Sequence, residues 1–269
     1  MARTSDPHAA TVKAWETRGR ALSGTGSNPT QIRDRVYKRE QWDGQERTFD
    51  GSVSDRDVRQ FTKERFGREM SQEDLADLAG APPGSEVQID LAVGGGWDKD
   101  TVGVTVTFPD GAGDCYRILD PSGGRGNAMT IWNQDMTVHS GRAQKGIGAA
   151  ILELQVDSAA KHGFEQIKVT AVGKPGTAVS GYNAWARVGF ESDDPVKGPD
   201  GPIGLNALMS QPGGAAWWRA NGQSFFGTFN LHPGSTSMRV FEEYRRLKRE
   251  QMRASDLTRL RPGQEWQAG

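Results

Sequence analysis

The sequence predicts an α+β fold: a mixed, mainly antiparallel sheet flanked by helices, with polar extensions at both ends. Three observations carry that expectation. Between residues 86 and 119, three short runs of β-branched or alternating residues are separated by glycine-bearing turns. From 130 to 171, a strand pattern, a glycine-flanked turn, an amphipathic helix and a second strand pattern follow one another. The composition, with 35% hydrophobic residues and a mean hydropathy of −0.66, is too polar for a core spanning all 269 residues. A domain of about 150 residues with polar flanks is expected instead.

In chain order, residues 1–48 read as a basic, largely disordered arm, with a short helix pattern carrying Trp15. Two capped helices are expected over 49–84. Ser54 with Asp57 precedes Val58, Phe61 and Phe66; Ser71 with Asp74 precedes Leu75, Leu78 and Ala79. The second is followed by Ala81-Pro82-Pro83-Gly84, which leaves no room for a DNA-recognition helix.

A central domain is expected over 85–235. Its strands are placed at 86–93, 101–108, 115–119, 131–139, 167–171 and 224–231. Gly94-Gly95-Gly96 has no helix after it and reads as a hairpin connection rather than a phosphate loop. Residues 191–201 read as a polar loop, and 203–209 and 215–220 as helices. Of the adjacent Trp217 and Trp218, at most one can face the core squarely. Residues 236–269 are expected to form a charged amphipathic helix, with Met238, Phe241, Tyr244 and Leu247 as its stripe, and a polar tail. That helix, over 237–252, and the N-terminal arm are the candidate protein-docking segments.

Composition excludes several function classes. The 33 basic and 34 acidic residues balance, so no global field recruits nucleic acid. The single cysteine, Cys115, precludes an internal disulfide and reads as a small buried hydrophobe. No apolar run approaches the ~20 residues of a membrane span, and the N-terminus carries no apolar signal segment. A soluble, cytoplasmic protein is therefore expected. Four scattered histidines give no metal-ligand spacing, and no GxSxG, P-loop or paired-carboxylate pattern is present.

The glycine turn is the chemically specific stretch. Gly146 and Gly148 open a helix whose Ile147, Ala150, Ile151 and Leu154 recur at helical spacing, with His162-Gly163 as its stop. A glycine-flanked helix N-terminus offers unpaired N–H groups and a positive dipole end to an anion, and Arg142 and Lys145 add charge beside it. Alternation places Ile131, Asn133, Asp135, Thr137 and His139 on one face of the preceding strand, with Trp132, Gln134, Met136 and Val138 on the other.

Strand, glycine turn, helix, strand and a short helix ending in Gly189-Phe190 together resemble the core of the GCN5-related N-acetyltransferase superfamily. The resemblance covers residues 130–190 closely and residues 86–231 loosely. It implies an acyl-CoA N-acyltransferase-like fold and acetyl-CoA as cosubstrate. The pyrophosphate would lie on Arg142, Ala143, Gln144, Lys145, Gly146, Ile147, Gly148 and Ala149, and the pantetheine beside Met136 and Val138. The family's turn glutamine or arginine falls on Ala143. Its usual acid tyrosine falls on Trp185, with Tyr182 nearly one helical turn earlier. The family also inserts its first two helices after its first strand, whereas here both precede the predicted strands.

Acetyl transfer to an amine needs a base, an oxyanion donor and an acid for the thiolate. Asp135 and His139 are the candidate bases and Tyr182 the candidate acid; the acceptor amine cannot be read from the sequence. The alternative expectation is an acetyltransferase-like scaffold without turnover. The N-terminal arm is similar to the starts of some phage head-associated proteins, which would make such a scaffold a virion component.

Overall fold

A computed structural model describes residues 45–92, 100–122, 128–139 and 147–259, with 251–259 by backbone alone. Expectations for residues 1–44, for Gly94-Gly95-Gly96 and for the turn residues Arg142, Ala143, Gln144, Lys145 and Gly146 lie outside the described residues.

The described residues begin with β1 (Thr48–Phe49), α1 (Asp55–Phe66) and α2 (Gln72–Ala79), and continue through β2 (Glu86–Leu91), β3 (Val102–Thr107), β4 (Gly113–Asp120) and β5 (Thr130–Val138). Then come α3 (Ile147–Lys161), β6 (Gln166–Ala171), α4 (Gly181–Arg187), β7 (Glu191–Ser192), and the small hairpin β8 (Val196–Gly198) and β9 (Gly201–Ile203). The last elements are α5 (Leu205–Ser210), α6 (Gly214–Asn221), β10 (Phe225–Asn230) and α7 (Thr236–Arg259). The main sheet has the order β1-β2-β3-β4-β5-β6-β10-β7. Only β1–β2 and β5–β6 are parallel; every other neighbouring pair is antiparallel. The fold class is therefore α+β with a mixed, mainly antiparallel sheet.

Alternation along the strands makes one sheet face apolar. Val87, Val106, Cys115, Leu119, Ile167 and Phe229 are all buried there. Cys115 meets the end of α2, with Sγ 3.8 Å from the Ala79 carbonyl oxygen. Phe225 packs edge-on to Trp218 of α6, and Phe229 edge-on to Phe241 of α7. Of the two adjacent tryptophans, Trp218 is the buried one. Thr105, Tyr116, Trp132, Lys168 and Thr228 on the opposite face keep partial exposure, and the Lys168 ammonium lies 5.0 Å from the Trp132 ring centre.

Both predicted caps are present. The Ser54 hydroxyl accepts from the Asp57 N–H at the start of α1, and Ser71 and Asp74 form a reciprocal capping box at the start of α2. Gly80 ends α2 at φ +76, and a Cβ there would fall 2.5 Å from the Ile151 carbonyl oxygen. A glycine is what lets α2 approach α3 this closely. Arg47, just before β1, clamps the same unit by reaching Glu73, Asp77 and the Ala81 carbonyl.

Two segments differ from the sequence expectation. The stretch read as a polar loop after Phe190 contains β7, β8 and β9; its paired runs are two or three residues long, below the length at which alternation is detectable. The chain before α1 contains β1, so the two helices do follow a first strand, one too short to register in sequence.

Asp74 links α2 to the end of α3, where His162 Nε2 lies 3.1 Å from its Oδ1. Burial alone would raise the Asp74 pKa. Hydrogen bonds from the Ser71 N–H and hydroxyl outweigh burial, helped by His162 and Lys161, and bring it down to about 2. A carboxylate with a depressed folded pKa stabilises above its unfolded value and loses that contribution as pH falls through its folded value. Asp74 therefore contributes stability that is complete above about pH 4 and lost towards pH 2, on the order of 2 kcal/mol. Urea unfolding of wild type should show this acid slope, and Asp74→Asn should flatten it; an unchanged slope in the variant would show that other groups carry it.

Candidate functional site

The site is set by how β5 leaves β6. Their parallel pairing runs only from Thr130↔Gln166 to Asn133↔Val169, although β5 continues to Val138. On its other side β5 stays paired with β4 along its whole length, to Gly113↔Val138. The register of that ladder shifts between Arg117↔Asn133 and Tyr116↔Asp135, leaving Gln134 as an extra residue on β5. A one-residue bulge bends a strand and increases its twist. Here it coincides with the point where β5 and β6 part, and so opens a fork. Beyond Asn133, no described strand pairs with the β6-facing edge of β5.

The bulge also corrects the face assignment drawn from plain alternation. Ile131 and Asn133 stay on the core-facing side, but Asp135 moves to the side of Tyr116, and Met136 takes the side of Cys115. In keeping with this, Met136 Cε lies 3.2 Å from the place a Gly148 Cβ would occupy at the start of α3. Ile147, Gly148 and Ala149 form the first turn of α3, with Ile147 buried and the other two partly exposed. Val138 ends β5 half-buried.

A buried amide pair fixes the fork at its root. Asn133 Nδ2 donates to Gln155 Oε1 and Gln155 Nε2 donates to Asn133 Oδ1, both at 3.0 Å. Gln155 Nε2 also donates to the Leu78 carbonyl at 3.1 Å, so β5, α3 and α2 share one polar joint. Gln155 recurs four residues after buried Ile151, so its place on the core stripe was readable from helical spacing. Its partner was not, because nothing local relates positions 133 and 155.

Among the sequence candidates, Asp135 sits just past the bulge, half-buried. His139 follows β5, with its N–H bonded to the Ala112 carbonyl and its Nδ1 2.8 Å from the Gly111 carbonyl. A carbonyl only accepts, so Nδ1 carries a proton, and in the neutral imidazole Nε2 is then the nitrogen with the lone pair a base requires. Tyr182 is carried by α4. It is 5% exposed and its hydroxyl donates to the Arg219 carbonyl at 2.8 Å. Trp218 Nε1 donates in return to the Tyr182 carbonyl, so α4 and α6 are tied together through Tyr182. Trp185 packs edge-on to Phe190 at 5.0 Å.

Arg117 escaped the sequence reading. It is fully buried on β4, opposite Asn133. Its Nη1 donates to the Tyr116 carbonyl at 3.2 Å and to the Asp135 carbonyl across the bulge. Burial pushes its pKa down, while Cys115 and Asp135 act in the opposite direction. The signal was present in sequence, since Cys115, Arg117 and Leu119 alternate on one face and put an arginine at a core position. Burial also pushes the Cys115 thiol up, which leaves it protonated and poorly nucleophilic at neutral pH. Among the described residues no group of three or more His, Cys, Asp or Glu is placed to hold a metal ion, and no helix is long and apolar enough to cross a membrane.

Gln155→Leu should cost about 2–4 kcal/mol, because it leaves the Asn133 amide and the Leu78 carbonyl buried without partners. Adding Asn133→Leu should cost less than the sum of the two single changes, by about 1–2 kcal/mol, in urea denaturation. Additive losses would show that the amide pair is not the coupling element. No family model matches this chain, and no curated protein matches it.

Proposed function

We propose that this chain is an acetyl-CoA-dependent N-acetyltransferase of the GCN5-related type, with the β5–β6 fork as the thioester site. The observation that carries the reading is the fork itself: a bulged strand that parts from its parallel neighbour after four residue pairs, followed in the sequence by a glycine-bearing stretch and then a helix. A strand edge free of a ladder partner offers backbone N–H and C=O groups at the spacing a pantetheine amide chain can use. The helix that follows offers its N-terminus to the diphosphate, and Arg142, Gln144 and Lys145 precede it in the sequence.

The cosubstrate supplies the activated acyl group; the chain's own residues position and deprotonate. Backbone N–H groups of β5 beyond the bulge donate to the carbonyl oxygen as negative charge develops on it. Asp135 and the Nε2 of His139 are the groups that can take the proton of the incoming amine, directly or through water. Tyr182 reaches the leaving thiolate only if its hydroxyl gives up the Arg219 carbonyl. The N-terminal end of α3 is the alternative source of thiolate stabilisation.

One observation favours a second reading, a scaffold without turnover. Tyr182 and Trp185, the residues nearest the family's acid position, are both engaged in holding the α4 region to its neighbours. Such a scaffold would keep the fold for its surfaces, with the N-terminal arm and the exposed, charged side of α7 as contact regions.

Calorimetry separates the two. Under the enzyme reading, acetyl-CoA binds wild type at micromolar Kd and Gly146→Glu weakens it at least a hundredfold, because a carboxylate then faces the diphosphate. Absence of binding at millimolar ligand leaves the scaffold reading standing.

A further inference from the structure

We infer that Arg117 is the recognition point for a ligand carboxylate at the β5–β6 fork. The inference deepens the acyl-transfer reading and rests on it for the identity of the cleft. Arg117 has no exposed surface, and only its Nη1 is hydrogen-bonded. Its Nε and Nη2 are buried and have no hydrogen-bond partner. Among the described residues it makes no ion pair; Asp135 favours its charge from longer range. A guanidinium does not shed its proton to escape such a position, so a charge only partly offset by Asp135 is costly there.

The position of the head group says where an anion would be bound. Arg117 pairs with Asn133, the last β5 residue still held by β6, and its Nη1 reaches past the bulge to Asp135. The guanidinium therefore lies one strand in from the fork and level with its apex. A neutral acetyl carbonyl would satisfy one donor and leave the charge in place. A carboxylate satisfies Nε and Nη2 together, in the two-pronged geometry a guanidinium prefers, and neutralises it. Access requires the bulge to yield, and the bulge is the point where β5 has already given up β6 as a partner.

The carboxylate can come from the acyl donor, as in a dicarboxylic acyl thioester, or from the acceptor, as in an amino acid. Two probe pairs distinguish the sources on the full chain by calorimetry: succinyl-CoA against butyryl-CoA, and N-acetylglycine against N-acetylglycinamide without coenzyme A. The expected result is at least tenfold tighter binding of the carboxylate member of one pair, reduced to less than twofold in Arg117→Met. Preference in the thioester pair places the carboxylate on the donor; preference in the free pair alone places it on the acceptor. If no thioester binds but the free pair discriminates through Arg117, the acyl-transfer reading falls and the carboxylate site stands. No preference in either pair, or a preference kept in Arg117→Met, overturns the inference. Should Arg117→Met fail to fold, the Arg117 Nε–H resonance of wild type gives the same decision: it must shift with the carboxylate probe and not with its amide.

Discussion

The joint between Asn133, Gln155 and the Leu78 carbonyl is the constraint on which the rest of the architecture depends. It lies in an otherwise apolar interface, where amides are costly unless every donor and acceptor is matched. That requirement fixes one register for α3 over the sheet and one position for the end of α2. Gly80 extends the same contact by letting the α2 terminus reach the Ile151 carbonyl. With α3 fixed, its first turn is held above the end of β5, and Met136 meets Gly148. The geometry of the fork thus follows from a buried polar match several residues away.

Polar groups placed inside an apolar layer have two uses in this chain. Those that are matched, such as the amide pair and the Thr62 hydroxyl that accepts from the Met70 N–H, specify how segments dock. Arg117 is only half matched, and it sits where the sheet is least regular. An apolar residue of similar volume would serve packing better at that position. The contrast between these neighbours, one satisfied and one not, gives the fork its chemical character.

Much of the frame could be read from the residue order because its signals are local. The Ser54 and Ser71 caps, the alternating strands at β2 to β4 and the helical stripe of α3 each lie within one turn or one strand. The hydrophobic stripe of α7 likewise gave Phe241 as a core residue, with Leu247 left 45% exposed. What was not legible depends on distant pairing. Alternation cannot announce a bulge, so it placed Ile131 and Asn133 on the face of Asp135, and the partner strand moved them apart. Strands as short as β1 and β7 exist only because a neighbour supplies their hydrogen bonds. The candidate site divides the same way: the strand that carries Asp135 and leads into His139 was evident, whereas Arg117 gains its meaning from what surrounds it.

The most direct test of the account is where acetyl-CoA touches the chain. Backbone amide resonances of wild type, followed during titration, should move first and furthest at Gln134, Asp135, Met136, Thr137 and Val138, the part of β5 beyond its pairing with β6. Shifts confined to the opposite sheet face around Trp132 and Lys168, or no shifts at millimolar ligand, would contradict the central claim that the fork is the acyl-donor site.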